Sequence, residues 1–216
     1  MESTPRKLTL WYFPFPGRGG AIRDAFRIGR VPFTDETIDA DTFRKKKAAG
    51  ELPFGSMPVL IVEERRRHVV SQSNAILRYA GKLGGLYPMD DHLAALRVDE
   101  ILDAAEEATQ SLGVSIGEED PDRKAALRRK MAEEDLPRWF GRLERILDQN
   151  GTSDHFVGTS LTVADLKMLY VIEKYLDGSL DGIPTTVMGP FGKLLAWRKN
   201  IRAVRDGRVA GRSVGP

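Results

Sequence analysis

The chain has 216 residues, 41% of them hydrophobic and 30% charged, with a net charge of +2, which is the make-up of an ordinary folded protein of one large or two small domains, each able to bury a core. It has no cysteine, which excludes disulfides, thiolate metal centres, iron–sulfur clusters and a cysteine nucleophile, so any sulfur chemistry must use a ligand's sulfur. No apolar run approaches the roughly 20 residues that span a bilayer, Met1 to Lys7 lacks a signal peptide's apolar stretch, and the near-neutral total does not suit a general nucleic-acid binder; a cytoplasmic protein with neither membrane nor nucleic-acid partner is the expectation.

Lys7 to Phe13 is a run of β-branched, aromatic and aliphatic residues closed by Pro14 and reads as a buried first strand. Ala21, Ile22, Ala25, Phe26 and Ile28 recur at helical spacing, which predicts a helix over 18–28 stopped by Gly29. Val31 to Ile38 reads as a second strand, and 41–49 as a short polar helix capped by Asp41 and ended by Gly50. Pro58 to Glu63 and Arg67 to Val70 flank a charged turn as an antiparallel hairpin. Ser73 is a fitting cap for a helix over 74–83, ended by Gly84 and Gly85. The order is βαβαββα.

Beyond Tyr87 the strand signal is lost and only helical patterns continue, which predicts an α/β domain over 1–86 and an all-α domain over 92–216. Its helices are expected over 93–112, over 122–149 with a bend at Pro137, from a Thr162 and Asp165 capping box to Leu176, and over 191–204. From Phe191 onward seven Lys or Arg stand against Asp206 alone, which leaves residues 1–190 at −4. Spread among apolar helix positions, those cations read as a solvated surface. His68, His92 and His155 have no metal-ligand spacing.

Three loops concentrate chemistry at one end of the predicted sheet. Tyr12 to Arg18 lies where the first strand meets the first helix. Gly17 in it and Gly19 just beyond begin a dinucleotide-type G-x-G, but Ile22 occupies the third glycine position, so that reading fails. Met57-Pro58 precedes the third strand, and a cis bond there would turn the Met57 main chain outward to pair with an extended, peptide-like ligand. Gln72-Ser73 opens a helix whose N–H groups suit a carboxylate. Together these offer a phenol, a backbone edge and an anion socket.

The segments Tyr12-Phe-Pro-Phe-Pro-Gly-Arg18, Leu52-Pro-Phe-Gly-Ser-Met-Pro58, Gln72-Ser-Asn-Ala-Ile-Leu-Arg-Tyr79 and Leu161-Thr-Val-Ala-Asp165 resemble the glutathione-binding and folding motifs of cytosolic glutathione transferases, closest to the tyrosine-using sigma, pi and mu classes. The resemblance covers roughly residues 7–205. It implies a thioredoxin-like N-terminal domain, an all-helical acceptor-substrate domain, glutathione as co-substrate, no metal, and a homodimer. Position by position, it makes Tyr12 the catalytic hydroxyl and places Arg18 near the glutathione and acceptor sites. Met57, before Pro58, pairs with the cysteinyl part of glutathione, and Gln72 and Ser73 hold the γ-glutamyl carboxylate. A lysine of the run Lys45 to Lys47, with Lys47 chosen, meets the glycyl carboxylate; the family's tryptophan in this loop has no counterpart, Phe43 being the nearest aromatic. Glu107 matches the acid that reaches across the dimer to the amino group, and Phe54 the aromatic key that enters the partner subunit. The acceptor pocket falls to Phe13, Phe15, Gln110, Leu112 and Val114, with the C-terminal tail.

Asp99, Asp103 and Glu106 form one stripe of the long helix, with Glu107 beside it, and read as a solvated acidic face; some sigma-class relatives hold a cation at the positions of Asp103, Glu106 and Glu107. The reaction implied is attack of the glutathione thiolate on a hydrophobic electrophile. Two other readings stay open: a glutathione-dependent isomerase of prostaglandin-synthase type, and a non-catalytic, ligand-holding or structural relative.

Overall fold

The computed structural model describes residues 6–151 and 154–207, and the chain divides into two compact units between Tyr87 and Pro88. The first unit runs β1 (Lys7–Tyr12), a single 3-10 turn at Gly17–Gly19, α1 (Gly20–Ile28), β2 (Thr34–Thr37), α2 (Ala40–Ala48), β3 (Val59–Glu63), β4 (Arg67–Ser71) and α3 (Ser73–Leu83). Its strands lie in the order β2-β1-β3-β4, with β2 parallel to β1 and the other pairs antiparallel. This is the thioredoxin-like βαβαββα arrangement. Val59 to Val62 of β3 are buried in unbroken succession, so both faces of the sheet are covered. Ile22, Ala25 and Phe26 of α1 and Ile76, Leu77 and Ala80 of α3 are buried in the core; each large side chain among them contributes roughly 1.5–3 kcal/mol. Trp11, Tyr12, Ile38, Leu52, Met57, Val59 and Ile61 form a further cluster, which roots the site-bearing end of the sheet in packed side chains.

Several boundaries depart from the sequence reading for local reasons. β2 is only four residues, all exposed. It is fixed by its register against β1, from Thr9↔Thr34 to Tyr12↔Thr37, while the apolar residues around it pack elsewhere: Phe33 against Phe26, and Ile38 into the core. The cap of α2 is Asp39, whose carboxylate accepts the Thr42 N–H at 2.7 Å, and not Asp41, which is already helical. Ser73 is the first residue of α3 and not its cap; that position belongs to Gln72, at φ 79° and ψ 108° with no side-chain capping bond. The first helix begins at Gly20, later than expected, because the 3-10 turn precedes it.

The second unit is all helical: α4 (His92–Gly117), α5 (Pro121–Lys130), α6 (Leu136–Gln149), α7 (Val163–Leu176) and α8 (Gly192–Arg205). α4 extends five residues past its expected end. The segment expected as one bent helix over 122–149 is two, joined by a π-helical turn at Met131–Asp135 whose wider loop is closed by Leu136 N–H to Met131 C=O. Pro137 supplies the cause, since it has no N–H to donate and its ring crowds the preceding turn. α7 is the central helix, with Val163 to Leu169 buried without interruption. At its start the fully buried Asp165 accepts hydrogen bonds from Phe156 N (2.9 Å), Thr162 N (3.0 Å), Thr162 Oγ1 (3.2 Å) and Trp197 Nε1 (3.0 Å). One carboxylate thus ties the α6–α7 connection, the α7 terminus and α8 together.

Among the described residues, no helix is long and apolar enough to cross a membrane.

Candidate glutathione site

The strand register itself gathers the three loops. Trp11 pairs with Val59, and Val59 with Ser71, so the residues one step on, Tyr12, Pro58 and Gln72, stand at the same end of three adjacent strands. The Tyr12 carbonyl accepts the Ile38 N–H at 2.8 Å, which holds its backbone on the β2 side as well.

Tyr12 is buried, at 4% exposure. Its hydroxyl oxygen accepts the Arg18 backbone N–H at 2.8 Å, a bond delivered by the 3-10 turn. Gly17 and Gly19 make that turn possible. A Cβ on Gly17, at φ +38°, would lie 2.5 Å from the Tyr12 hydroxyl oxygen, and one on Gly19 would lie 2.3 Å from Tyr12 Cδ1. The two glycines that open a failed nucleotide motif therefore serve close approach to a phenol. Burial pushes the Tyr12 hydroxyl above its ordinary value, while the Arg18 N–H and the charges of Arg18 and Arg23 pull the other way. The phenol is therefore protonated at neutral pH.

An aromatic group surrounds it. Phe13 and Phe15 stack with centroids 5.3 Å apart, and both meet the Tyr12 ring edge-on, at 5.5 and 5.8 Å. Phe13 also touches Phe43, at 5.4 Å. Phe15 is 53% exposed.

The Met57–Pro58 bond is cis, and Met57 is buried in the cluster that contains Tyr12. Gln72 holds a positive φ that non-glycine residues seldom adopt. The α3 amino terminus follows, with Ser73 buried. In α2, Lys46 is already engaged: its ammonium sits 3.6 Å from the Trp11 ring centroid and 3.1 Å from Glu51. Lys47 lies nearer the Leu52–Pro58 loop, with Cε 3.5 Å from where a Gly55 Cβ would stand. Phe54, on the turn closed by Gly55 N–H to Leu52 C=O, is 69% exposed.

In the second unit, α4 places Gln110 and Val114, four residues apart, among its exposed positions, whereas Leu112 is buried. Residues two apart on a helix point about 200° from one another, so Leu112 faces away from the side of α4 that Gln110 and Val114 share. The acidic stripe is not simply solvated either. Glu106 meets the Nζ of Lys167, a buried residue of α7, at 3.3 Å, while Asp103 and Glu107 are exposed. Among the described residues, no three His, Cys, Asp or Glu come together as a metal site.

The side chain that sequence periodicity misses is Arg23. It sits on an apparently ordinary turn of α1, and its partners Phe13, Phe15 and Asp35 are joined to it only by the fold.

A family model described as the glutathione S-transferase C-terminal domain matches residues 106–205. Glutathione S-transferase P 1 of Xenopus laevis is 30% identical over 171 residues, 78% of this chain and 76% of the relative. Probable glutathione S-transferase 6 of Caenorhabditis elegans is 29% identical over 198 residues, 90% of each chain. Among solved structures, prostaglandin synthase D of Nilaparvata lugens superposes with a TM-score of 0.78 over 94% of this chain and 98% of that one, at 24% identity. With both units accounted for by the same relatives, the chain belongs to the glutathione S-transferase family, enzymes whose co-substrate is glutathione.

Proposed function

We propose that the chain conjugates the glutathione thiolate to hydrophobic electrophiles and that the Tyr12 hydroxyl stabilises this thiolate. The carrying observation is the direction of one hydrogen bond: the Tyr12 oxygen accepts from Arg18 N–H. A phenol has one proton and two acceptor positions. With an acceptor position filled by the backbone, the proton remains available to a ligand sulfur. A free thiol, with a pKa of about 8.5, is only a few per cent thiolate at neutral pH. A donated hydrogen bond favours the charged form, and lowering the thiol by about two units corresponds to roughly 2.7 kcal/mol. Replacing Tyr12 by Phe should reduce turnover with a standard aryl electrophile by about tenfold or more while glutathione still binds; an unchanged rate would remove Tyr12 from the mechanism.

The rest of the glutathione molecule follows the same end of the sheet. The Met57 main chain pairs with its cysteinyl portion, and the α3 terminus at Gln72 and Ser73 takes the γ-glutamyl carboxylate, favoured by the positive end of the helix dipole. Lys47 takes the glycyl carboxylate, a choice supported by the engagement of Lys46 with Trp11 and Glu51. Arg18 stands beside the sulfur through its backbone, and Glu107 is assigned to the amino group from a partner subunit. Phe13 and Phe15 offer apolar ring faces that suit a hydrophobic acceptor.

Phe54 supports a homodimer, because so large an exposed aromatic on a tight turn is expensive to leave in water. Phe54→Ser should shift the protein toward monomer in analytical ultracentrifugation; an unaltered sedimentation profile would discard the key. A glutathione-dependent isomerase is the second reading, favoured by the likeness to prostaglandin synthase D of Nilaparvata lugens, which at 24% identity is a likeness of fold. Isomerisation without loss of glutathione would identify it, and glutathione binding without turnover would identify a non-catalytic relative.

A further inference from the structure

Arg23 makes three side-chain hydrogen bonds beside Tyr12. Its Nε donates to Asp35 Oδ2 of β2 at 2.8 Å, its Nη2 to the Phe13 carbonyl at 3.0 Å, and its Nη1 to the Phe15 carbonyl at 3.2 Å. Its Cζ stands 5.5 Å from the Tyr12 ring centroid, and its side chain keeps 16% exposure. A guanidinium has a planar fork of five donors. Here that fork reaches an edge strand and both carbonyls flanking Pro14, with a cation set against the ring whose hydroxyl the same loop addresses.

We propose that Arg23 is a positioning residue for Tyr12: it fixes the Phe13–Phe15 loop so that the following turn delivers the Arg18 N–H to the phenol oxygen, and its charge strengthens the phenol as a donor to the thiolate. The proposal rests on the reading of Tyr12 given above. Two aspects of the geometry support a coupled role over plain packing. The bonds go to carbonyls of the loop that leads into Gly17 and Arg18, and the guanidinium lies 5.5 Å from the Tyr12 ring, where its charge, like that of Arg18, opposes the upward push of burial on the hydroxyl. Lysine cannot substitute fully, because a single ammonium does not span three acceptors. Asp35 serves as the anchor that holds the fork in this orientation.

The test is a double-mutant cycle of Arg23→Met and Tyr12→Phe, with Arg23→Lys and Asp35→Asn as companions. Thermal melting checks each fold, glutathione affinity is measured directly, and kcat/KM is followed against pH. Arg23→Met should lower kcat/KM by about tenfold and move the acid limb of the profile upward by about one pH unit, with glutathione affinity changed by less than about threefold. Arg23→Lys and Asp35→Asn should shift the limb in the same direction by less. In the Tyr12→Phe background the Arg23→Met penalty should shrink to about twofold or less. An unmoved acid limb in the folded Arg23 and Asp35 variants, or an equal penalty in both backgrounds, would overturn the proposal. If Tyr12→Phe alone is harmless, the reading of Tyr12 falls instead. Should Arg23→Met fail to fold, Arg23→Lys and Asp35→Asn decide the matter by the same limb.

Discussion

A methyl group on Gly19 would come within 2.3 Å of Tyr12 Cδ1 and 2.7 Å of its Cγ. The contact is with the root of a buried ring, which cannot swing aside as a flexible chain end would. Gly19→Ala should therefore displace the phenol from the Arg18 N–H and lower kcat/KM by about tenfold or more, with a smaller loss of melting temperature. Kinetics and calorimetry on the same preparation check this, and full activity in the variant would mean the ring position does not govern the rate. Much of the site is visible in the sequence at this scale. Tyr12, Met57, Pro58, Gln72 and Ser73 lie in contiguous loop motifs, so their neighbourhood can be read from spacing. Arg23 cannot be found that way, because its partners Phe13, Phe15 and Asp35 become neighbours only once β1, α1 and β2 have packed. The role of the two glycines is hidden for a similar reason: a G-x-G pattern records close approach without saying to what.

Elements pack as closely as residues do. Where α1 and α3 end, Gly29 and Gly84 meet, and a Cβ on Gly29 would fall 2.4 Å from Gly84 Cα and 2.9 Å from the Ala25 carbonyl. Both obstacles are backbone, so Gly29→Ala must push the helices apart and should cost roughly 1–3 kcal/mol. A urea denaturation curve measures it, and stability equal to the parent's would show that the helix ends are looser than this contact implies. Elements with a strong local signal are legible: the two strands of the hairpin on either side of their charged turn, the apolar stripe of α1 and the capped start of α7. β2 is present but shorter than the 31–38 run suggests, because its strand character comes from pairing with β1 and not from its own polar residues. The break before α6 is half legible in the sequence, since Pro137 marks a disturbance but the π turn that absorbs it lies one turn earlier. The α2 cap fell to Asp39 and not Asp41 because two acids close together satisfy the same rule and only backbone geometry chooses between them.

At the scale of the whole molecule, the basic surplus near the C-terminus is largely answered where it is described. Arg198 donates to both carboxylate oxygens of Glu173, at 2.8 and 3.0 Å, Arg202 stands 3.7 Å from the same acid, and Lys193 pairs with Asp148. Arg208 and Arg212 lie outside the described residues. Global stability should carry an alkaline signature from Tyr175, whose hydroxyl donates to the Ala108 carbonyl at 2.9 Å and is pushed by burial from 10.0 up to about 12. Both states are protonated below pH 10. Between about pH 10 and 12 the unfolded chain ionises first, so stability falls as pH rises, by up to roughly 2–3 kcal/mol. Urea midpoints across this range should decline less steeply for Tyr175→Phe than for the parent, and identical slopes would show that Tyr175 does not carry the dependence.

Whether one phenol proton sets the ionisation of the ligand's sulfur is decided by titrating glutathione bound to the protein, following thiolate absorbance in the ultraviolet. The parent should show a bound thiol about two units below the free value of about 8.5, and Tyr12→Phe should return it close to that value. A bound thiol that titrates alike in both proteins would mean that the Tyr12 hydroxyl does not set its ionisation.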